Sequence, residues 1–447
     1  MTGIFSLPSK HNRSLAPLAV FRIIFGALLL FSTIRFWLKG WIYELYIQPQ
    51  FHFKYFGFDW IKVAPGWLMY TLFVLMALAA LGILLGYRYR LSATLFFLTF
   101  TYVELIDVAN YLNHYYFVSL MSLLLIFLPA HRLASLDVYL KRVPLKTHSN
   151  HWAVSLLKLQ LAIVYVYAGI AKLNPDWLLE ALPLKIWLPA QAHLPLIGPL
   201  LKYTWVAYFF SWFGAFYDLT VPFFLSIKKT RPYAFAAVIL FHLLTWWLFP
   251  IGVFPWVMIF STLIFFSDNF HQKILARLPK VFKVSPLSWD VKMTPTKLPL
   301  IAKTLIAGYL AFQLLFPFRF LLYSQPLFWT EQGYRFSWRV MLVEKAGYVT
   351  YTLTNPSTGF SAEIEPSEYL NPNQEKQLST QADLILQFAH FLEKEYQKKG
   401  VVNPVITAQA YVSLQSQPSR LFINPTVDLT NETESFAAKK WILPYAH

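Results

Sequence analysis

Cysteine is absent from this chain of 447 residues. Disulfides, thiolate nucleophiles and cysteine-held zinc or iron–sulfur sites are therefore excluded. Charged residues are also scarce, at 13% of the chain, against roughly 25% in a typical soluble domain. A cleavable signal peptide is not expected, because the first apolar run, 17–38, is too long for one and lacks a small-residue cleavage pattern.

Apolar and aromatic residues are correspondingly frequent. Hydrophobic residues make up 57% of the chain and aromatic residues 19%, with 16 tryptophans. The mean hydropathy is +0.45. Tryptophan is enriched where helix ends meet lipid headgroups. This composition predicts a membrane protein that crosses the bilayer several times.

The basic excess is confined to one part of the chain. The net charge is +16, but residues 325–447 hold ten basic and twelve acidic residues, which leaves 28 basic and 10 acidic residues in 1–324. The change falls where the apolar runs stop. We therefore interpret the positive charge as a topology signal and not as a nucleic-acid surface.

The apolar runs predict a polytopic helical bundle with about nine spans, each near the ~20 residues that cross a bilayer. The range is eight to nine, because the seventh and eighth runs could form one re-entrant hairpin. With the N-terminus in the cytoplasm, nearly every basic cluster falls inside, as the positive-inside rule requires. The C-terminal part then lies on the outer face, periplasmic or luminal. The predicted spans are 17–38, 66–87, 91–109, 115–131, 153–172, 204–227, 232–249, 253–268 and 300–323.

The chain changes character after residue 324. Residues 338–354 and 404–414 contain β-branched and aromatic residues in loose alternation, which predicts strands. Residues 379–399 have apolar residues at helical spacing after a Ser-Thr start, which predicts an amphipathic helix. The fold class is thus mainly α, with a transmembrane domain at 1–324 and a small α+β domain at 325–447.

Three polar residues fall on the outer side in this topology. Lys172 ends the fifth span, and Asn113 and His114 occupy the turn between the third and fourth. A partly desolvated lysine can act as a base, and an amide and an imidazole can hydrogen-bond a carbonyl or hydroxyl. Each residue alone has an ordinary explanation, such as a helix cap or a side chain that snorkels, but their common level favours a site.

Further polar and aromatic residues extend this set. His242 is expected to face the bundle interior, and Asp218 needs a partner within the membrane, for which a structural ion pair or hydrogen bond is the simplest role. Tyr334, Ser337 and Trp338 follow the last span, where an aromatic belt is the ordinary explanation. The aromatic surroundings suit a planar lipid-soluble ligand.

Several motifs resemble one family in the same order. The chain is similar to the vitamin K-dependent gamma-glutamyl carboxylases and their bacterial relatives with an HTTM (horizontally transferred transmembrane) domain, over roughly residues 15–345. The motifs that carry the resemblance are PLAVFRIIFGALLLF (17–31), NHYYFVSLM (113–121), IVYVYAGIAKLNPDWL (163–178), GAFYDLTVPFFL (214–225), FHLLTWWLFPIGVFPWVM (241–258) and QGYRFSWRVML (332–342).

The resemblance implies a reaction and roles for these residues. In that family a lysine deprotonates a vitamin K hydroquinone, and reaction with O2 gives an epoxide and a strong base. The base removes a proton from the γ-carbon of a glutamate, to which CO2 adds. Lys172 would be the initiating base, His114 and Asn113 would bind and polarise the quinone oxygens, and His242 would line the pocket. The glutamyl substrate would be held by Tyr334, Ser337 and Trp338.

The resemblance also sets the expected ligands and leaves alternatives. The ligands are reduced vitamin K or menaquinol, a glutamyl-containing secreted peptide or protein, O2 and CO2, with no metal. Ala171 stands where the family commonly has a second lysine. A quinol oxidase or epoxidase that does not carboxylate is one alternative. A quinone- or lipid-binding membrane protein without catalysis is the other.

Overall fold

The computed structural model describes residues 13–279 and 298–445. A helix begins within a few residues of the start of each of the nine predicted apolar segments. Apolar runs of this length in lipid form helices because a helix satisfies its own backbone hydrogen bonds. The principal helices of the bundle are α1 (Ala16–Leu38), α2 (Gly66–Leu85), α3 (Tyr89–Ile106), α4 (Asn113–Phe127), α6 (Trp152–Ala171), α9 (Thr204–Ser226), α10 (Arg231–Leu248), α11 (Phe254–Ser261) and α13 (Leu300–Leu315).

Shorter helices connect these elements. A 3-10 turn extends α11 through Phe265, and another extends α13 through Leu322. The short helices are α5 (Leu136–Tyr139), α7 (Pro175–Leu178), α8 (Leu184–Ala190), α12 (Asp268–Leu275) and α14 (Leu327–Thr330).

Five of the described helices are long and apolar enough to cross a membrane. They are α1, α2, α6, α10 and α13 together with its 3-10 extension. Helix α4, with 15 residues, and α11, with eight, are shorter than the roughly 20 residues that span the hydrocarbon. The chain is thus a helical membrane protein, and the count of nine spans stays a prediction.

The segments that carry the basic clusters, which were predicted to be cytoplasmic, contact one another. Strand β1 (Arg13–Ser14) pairs with β2 (His148–Ser149) in antiparallel register. The backbone N–H groups of Arg88 and Tyr89 donate to the carboxylate of Asp137 at 2.9 and 3.0 Å. The N-terminal segment, the turn between α2 and α3, and the segment between α4 and α6 are therefore joined at one end of the bundle.

Arg22 holds the same end together. Its guanidinium is fully buried and donates to the carbonyl oxygens of Ile83 and Leu84 at 2.8 and 2.7 Å, and to those of Ala130 and Ala134. Ile83 and Leu84 lie in the last turn of α2, where helical carbonyls have no partner of their own. Arg22 therefore caps α2 and ties it to the segment that follows α4.

The loops that were predicted to lie outside contact the C-terminal part. The side-chain amide of Gln374 donates to the carbonyl of Phe51 at 2.7 Å and to Asp107 at 2.8 Å. The indole N–H of Trp187 donates to the carboxylate of Glu344. These contacts place the loops after α1, α3 and α6 at the end of the bundle that adjoins residues 325–445.

The C-terminal part is a four-stranded antiparallel sheet with helices. The strand order is β4-β3-β5-β6, and Tyr351 of β3 pairs with Ala408 of β5. Its buried core includes Tyr351, Phe388 and Trp441. The elements are β3 (Lys345–Thr354), β4 (Ser361–Ile364), α15 (Pro372–Leu378), α16 (Ala382–Lys398), β5 (Val405–Leu414) and β6 (Arg420–Leu421).

The predicted strand 338–354 is wrong in its first part. The observed strand begins at Lys345, and residues 338–344 are not part of the sheet. Trp338 and Met341 have φ values of +59° and +53°, which a strand does not allow. The predicted helix 379–399 and strand 404–414 are confirmed to within three residues as α16 and β5.

Substitution of Arg22 by methionine should destabilise the bundle. It removes charge-assisted hydrogen bonds to four carbonyls that have no water to replace them. We expect the free energy of unfolding to fall by about 3 kcal/mol or more. Thermal unfolding in detergent measures the effect, with Arg90→Met at an exposed position as the control. Equal shifts for both variants would show that the four hydrogen bonds contribute little.

Absence of cysteine allows a direct test of the orientation. A single cysteine at Ser357, in the exposed turn between β3 and β4, should react with a membrane-impermeant maleimide in intact cells. A single cysteine at Lys141, in the exposed segment after α5, should react only after the membrane is opened. The reverse pattern would invert the predicted topology.

Candidate functional site

Lys172 lies at the C-terminal end of α6, where the chain stops being helical. The next residues form α7, with Asn174 as its cap: the Asn174 side-chain oxygen accepts from the Trp177 backbone N–H at 3.0 Å. Pro175 suits the first position of that short helix because it has no N–H to leave unpaired. The local sequence thus ends α6 at Lys172, as predicted.

The partner of Lys172 is Asp218 of α9. The Nζ atom of Lys172 lies 2.7 Å from Oδ2 of Asp218, and each side chain is only 7% exposed. The same Nζ donates to the carbonyl of Ala168 at 3.2 Å and lies 5.3 Å from the ring centroid of Trp177. Asp218 was expected to need a partner within the membrane, and that partner is Lys172.

The pair lies deep in the bundle. Asp218 follows the start of α9 by 14 residues and precedes its end by eight. At about 1.5 Å per residue, the pair is about 21 Å from one end of α9 and about 12 Å from the other. Lys172 therefore ends α6 beside the middle of α9.

Two glycines lie at this arrangement, and one of them makes it possible. A Cβ on Gly169 would lie 2.8 Å from the backbone nitrogen of Leu219, so only glycine allows α6 to approach α9 this closely. A Cβ on Gly214 would lie 3.9 Å from Cε of Lys172, which is ordinary contact. The first glycine sets the helix separation, and the second lies against the lysine stem.

An apolar cavity of about 110 Å³ opens beside the pair. Its walls come from α6, α8, α9, α10 and α11, and from the loop before β3. The polar side chains in the wall are few and include Lys172, Asp218 and His242. The apolar lining includes Val164, Ala168, Trp177, Leu184, Trp187, Leu188, Phe210, Phe213, Phe241, Leu248, Phe249, Ile251, Phe254, Met258, Val340 and Met341.

His242 is the second polar group of this cavity. Its Nε2 lies 3.1 Å from the hydroxyl of Tyr165, which also lines the cavity. Its Nδ1 is enclosed and has no hydrogen-bond partner among the described residues. Buried polar atoms are normally satisfied, so His242 is a residue of the cavity wall with one ring nitrogen that lacks its usual partner.

His114 lines a different cavity. This second cavity, of about 50 Å³, lies among α1, α2, α3, α4 and α11, and Glu104 shares its wall. The ring of Phe254 contacts both histidines, with its centroid 5.6 Å from that of His114 and 5.7 Å from that of His242. The structure therefore brings Lys172 together with His242, and it places His114 in the wall of the second cavity.

Asn113 is engaged with backbone and phenol groups. Its side-chain oxygen accepts from the Tyr111 hydroxyl at 3.0 Å, and its amide nitrogen donates to the carbonyl of Arg339 at 2.8 Å. The Tyr111 hydroxyl in turn accepts from the Phe336 backbone N–H at 2.8 Å. Asn113 thus ties the turn before α4 to the loop that precedes β3.

Tyr334, Ser337 and Trp338 lie in that loop but not in the wall of the Lys172 cavity. The Ser337 hydroxyl donates to the Tyr334 carbonyl, and Trp338 stacks on Tyr116 with centroids 4.9 Å apart. The residues of the loop that line the cavity come just after them. These are Val340 and Met341.

Several residues of the cavity carry no signal in the sequence. Tyr165 sits within an apolar run, and Phe254 follows a turn, so neither differs from ordinary membrane residues. The contact of Asp218 with Lys172 was open to inference, because a carboxylate in a membrane span needs a partner and basic groups are few there. Because the two residues are 46 positions apart, no short-range pattern in the sequence indicated that they are in contact.

Comparison with protein families agrees with this architecture. A family model described as the HTTM domain matches residues 11–270. A second model, the lumenal domain of vitamin K-dependent gamma-carboxylase, matches residues 299–447. No solved structure gives a significant match.

The first match contains both Lys172 and His242, and the second contains the loop with Val340 and Met341. The two models follow each other along the chain in one order and cover most of it. The chain belongs to the HTTM family, in its vitamin K-dependent gamma-carboxylase branch with a lumenal C-terminal domain.

Proposed function

We propose that this protein is a quinol-dependent gamma-glutamyl carboxylase-like enzyme that couples epoxidation of reduced vitamin K, or of menaquinol, to addition of CO2 at glutamate. The observation that carries the proposal is the buried Lys172–Asp218 pair in the wall of an apolar cavity, with His242 beside it. The matches to the HTTM domain and to the gamma-carboxylase lumenal domain support the reaction class.

The residues of the cavity fit a quinol. A planar apolar ring needs aromatic and aliphatic walls, and its oxygens need a few polar groups at defined positions. The cavity supplies such walls, and its polar lining residues include Lys172, with its amine, and His242, whose Nδ1 lacks a partner among the described residues. When bound, the quinol supplies the reducing equivalents that, with O2, produce the base for removal of the glutamyl proton.

Lys172 is the group that accepts the first proton at its Nζ atom. As a neutral amine, Lys172 has two N–H groups, which donate to Asp218 and to the Ala168 carbonyl, and one lone pair. The lone pair is free to accept the proton of a ligand hydroxyl. Asp218 orients the amine and stabilises the ammonium that forms when Lys172 has taken the proton.

His242 orients the ligand from the other side of the cavity. If the Tyr165 hydroxyl donates to Nε2, the ring proton lies on Nδ1, which can donate to a ligand oxygen. The imidazole is held by this single contact and by the surrounding rings of Tyr217, Phe241 and Phe254. The same rings exclude water, which would otherwise quench a strong base.

The remaining predicted residues act around this centre. We propose that His114 contacts a substrate that reaches past Phe254 from the second cavity. Asn113 positions the loop that carries Tyr334, Ser337 and Trp338, in addition to any contact with the quinol. The loop would then present the glutamyl substrate to the roof of the Lys172 cavity.

Substitution of Lys172 by alanine should abolish epoxide formation from reduced vitamin K in the purified protein. The loss follows because no other amine lines this cavity among the described residues. Lys158, near the other end of α6, provides the matched control, and Lys158→Ala should retain activity. Full activity of the Lys172 variant would exclude Lys172 as the base.

A second product separates the proposal from its alternative. Incorporation of labelled CO2 into a glutamyl peptide should accompany epoxide formation in the unsubstituted protein. Epoxide without labelled peptide would indicate a quinol epoxidase that does not carboxylate. Quinone binding without either product would indicate a non-catalytic binding protein.

A double-mutant cycle on the buried pair tests whether its role is chemical. Lys172→Met and Asp218→Leu should each lower the free energy of unfolding by about 1–3 kcal/mol, because each leaves the other polar group buried without its hydrogen-bond partner. The double variant should recover most of this stability and remain inactive. Equilibrium unfolding in detergent gives the energies, and additive losses would contradict direct coupling of the two side chains.

A further inference from the structure

The loop before β3 has an unusual backbone. Phe336, Trp338 and Met341 all have positive φ values, of +58°, +59° and +53°. None is glycine, and bulky side chains rarely adopt this conformation. Such residues persist only where the surroundings hold them, and they cluster at ligand-binding sites.

Side chains from the bundle hold this loop in place. The hydroxyl of Tyr111 accepts from the Phe336 N–H, Asn113 donates to the Arg339 carbonyl, and Tyr116 stacks on Trp338. The backbone around Arg339 is thereby fixed on both sides. The position of the arginine is set by the fold and not by a partner of its own side chain.

The guanidinium of Arg339 is buried without a counter-ion. The residue is 9% exposed, and its Cζ lies 4.4 Å from the ring centroid of Phe320. Within residues 13–279 and 298–445, its side chain makes no hydrogen bond and no ion pair, and its Nε is enclosed. The four N–H groups of its two terminal nitrogens are therefore available to a ligand.

Neighbouring basic residues differ in this respect. Arg335 donates to Asp383 at 2.5 Å, and Lys345 to Glu331 at 3.0 Å. Burial lowers the pKa of Arg339, and the other group that acts on it is the phenol of Tyr334. An unpaired buried charge costs several kcal/mol, so its presence beside two paired basic residues calls for an acidic ligand.

We propose that Arg339 binds the carboxylate of the glutamyl side chain that enters the site. The inference rests on the proposed function for the identity of this acid. The two residues that follow Arg339 line the Lys172 cavity, so the backbone of Arg339 adjoins the roof, and its guanidinium lies against Phe320. Arginine matches a carboxylate through two parallel N–H···O bonds, whereas lysine offers a single point of charge.

Peptide binding to the full chain in detergent tests the proposal. The probes are a short peptide with one glutamate between alanines and the same peptide with glutamine. The unsubstituted protein should bind the glutamate peptide at least about tenfold more tightly, which is the contribution of one charge-assisted hydrogen bond. Arg339→Gln should remove the preference, and Arg339→Lys should retain part of it. Arg420→Gln, on β6, is the matched control and should keep it.

Turnover gives a second readout that a merely structural role would not move. In Arg339→Gln, the KM for the glutamate peptide should rise about tenfold or more, with a smaller change in kcat. An unchanged preference and KM, or no preference in the unsubstituted protein, would overturn the proposal. Labelled CO2 incorporation by the unsubstituted protein tests the proposed function separately, since peptide preference is measured without turnover.

Discussion

A lysine and an aspartate 46 residues apart meet inside the helical bundle, and the site is arranged around their contact. The pair locks the end of α6 against the middle of α9, where Gly169 lets the helices approach. Such a pair adds little net stability, because desolvation of both groups offsets their attraction. Its presence in a largely apolar wall is therefore weak evidence for a role in folding, and it supports the proposed chemistry.

The loop before β3 connects the two parts of the chain. The loop follows α14 and forms part of the cavity roof with Val340 and Met341. It then continues into β3, one of the two inner strands of the sheet. Hydrogen bonds from Asn113 and Tyr111 hold it to the turn before α4. A substrate bound by the C-terminal part would thus reach the cavity through a segment whose backbone is already fixed, which favours a defined geometry for reaction.

Much of the helical framework could be predicted, because the length of an apolar run and the basic residues beside it can be read from neighbouring positions in the sequence. A helix begins near the start of each predicted span, although several are shorter than predicted, and the amphipathic pattern of 379–399 located α16. The predicted strand at 338–344 failed because alternation of side chains says nothing about positive φ at Trp338 and Met341. Among the candidate residues, Lys172 and His242 share a cavity, whereas His114 lies in the wall of the second cavity.

The sequence by itself determined the class of protein, the positions of the helices and the residue types able to do chemistry, since these depend on composition and short-range pattern. It also identified Asp218 as a carboxylate in need of a partner. Only the tertiary structure decided that this partner is Lys172, that His242 rather than His114 shares its cavity, and that Arg339 is buried without a counter-ion. Those facts depend on how helices far apart in the chain rotate and approach one another, and packing of distant side chains leaves no local mark in the sequence.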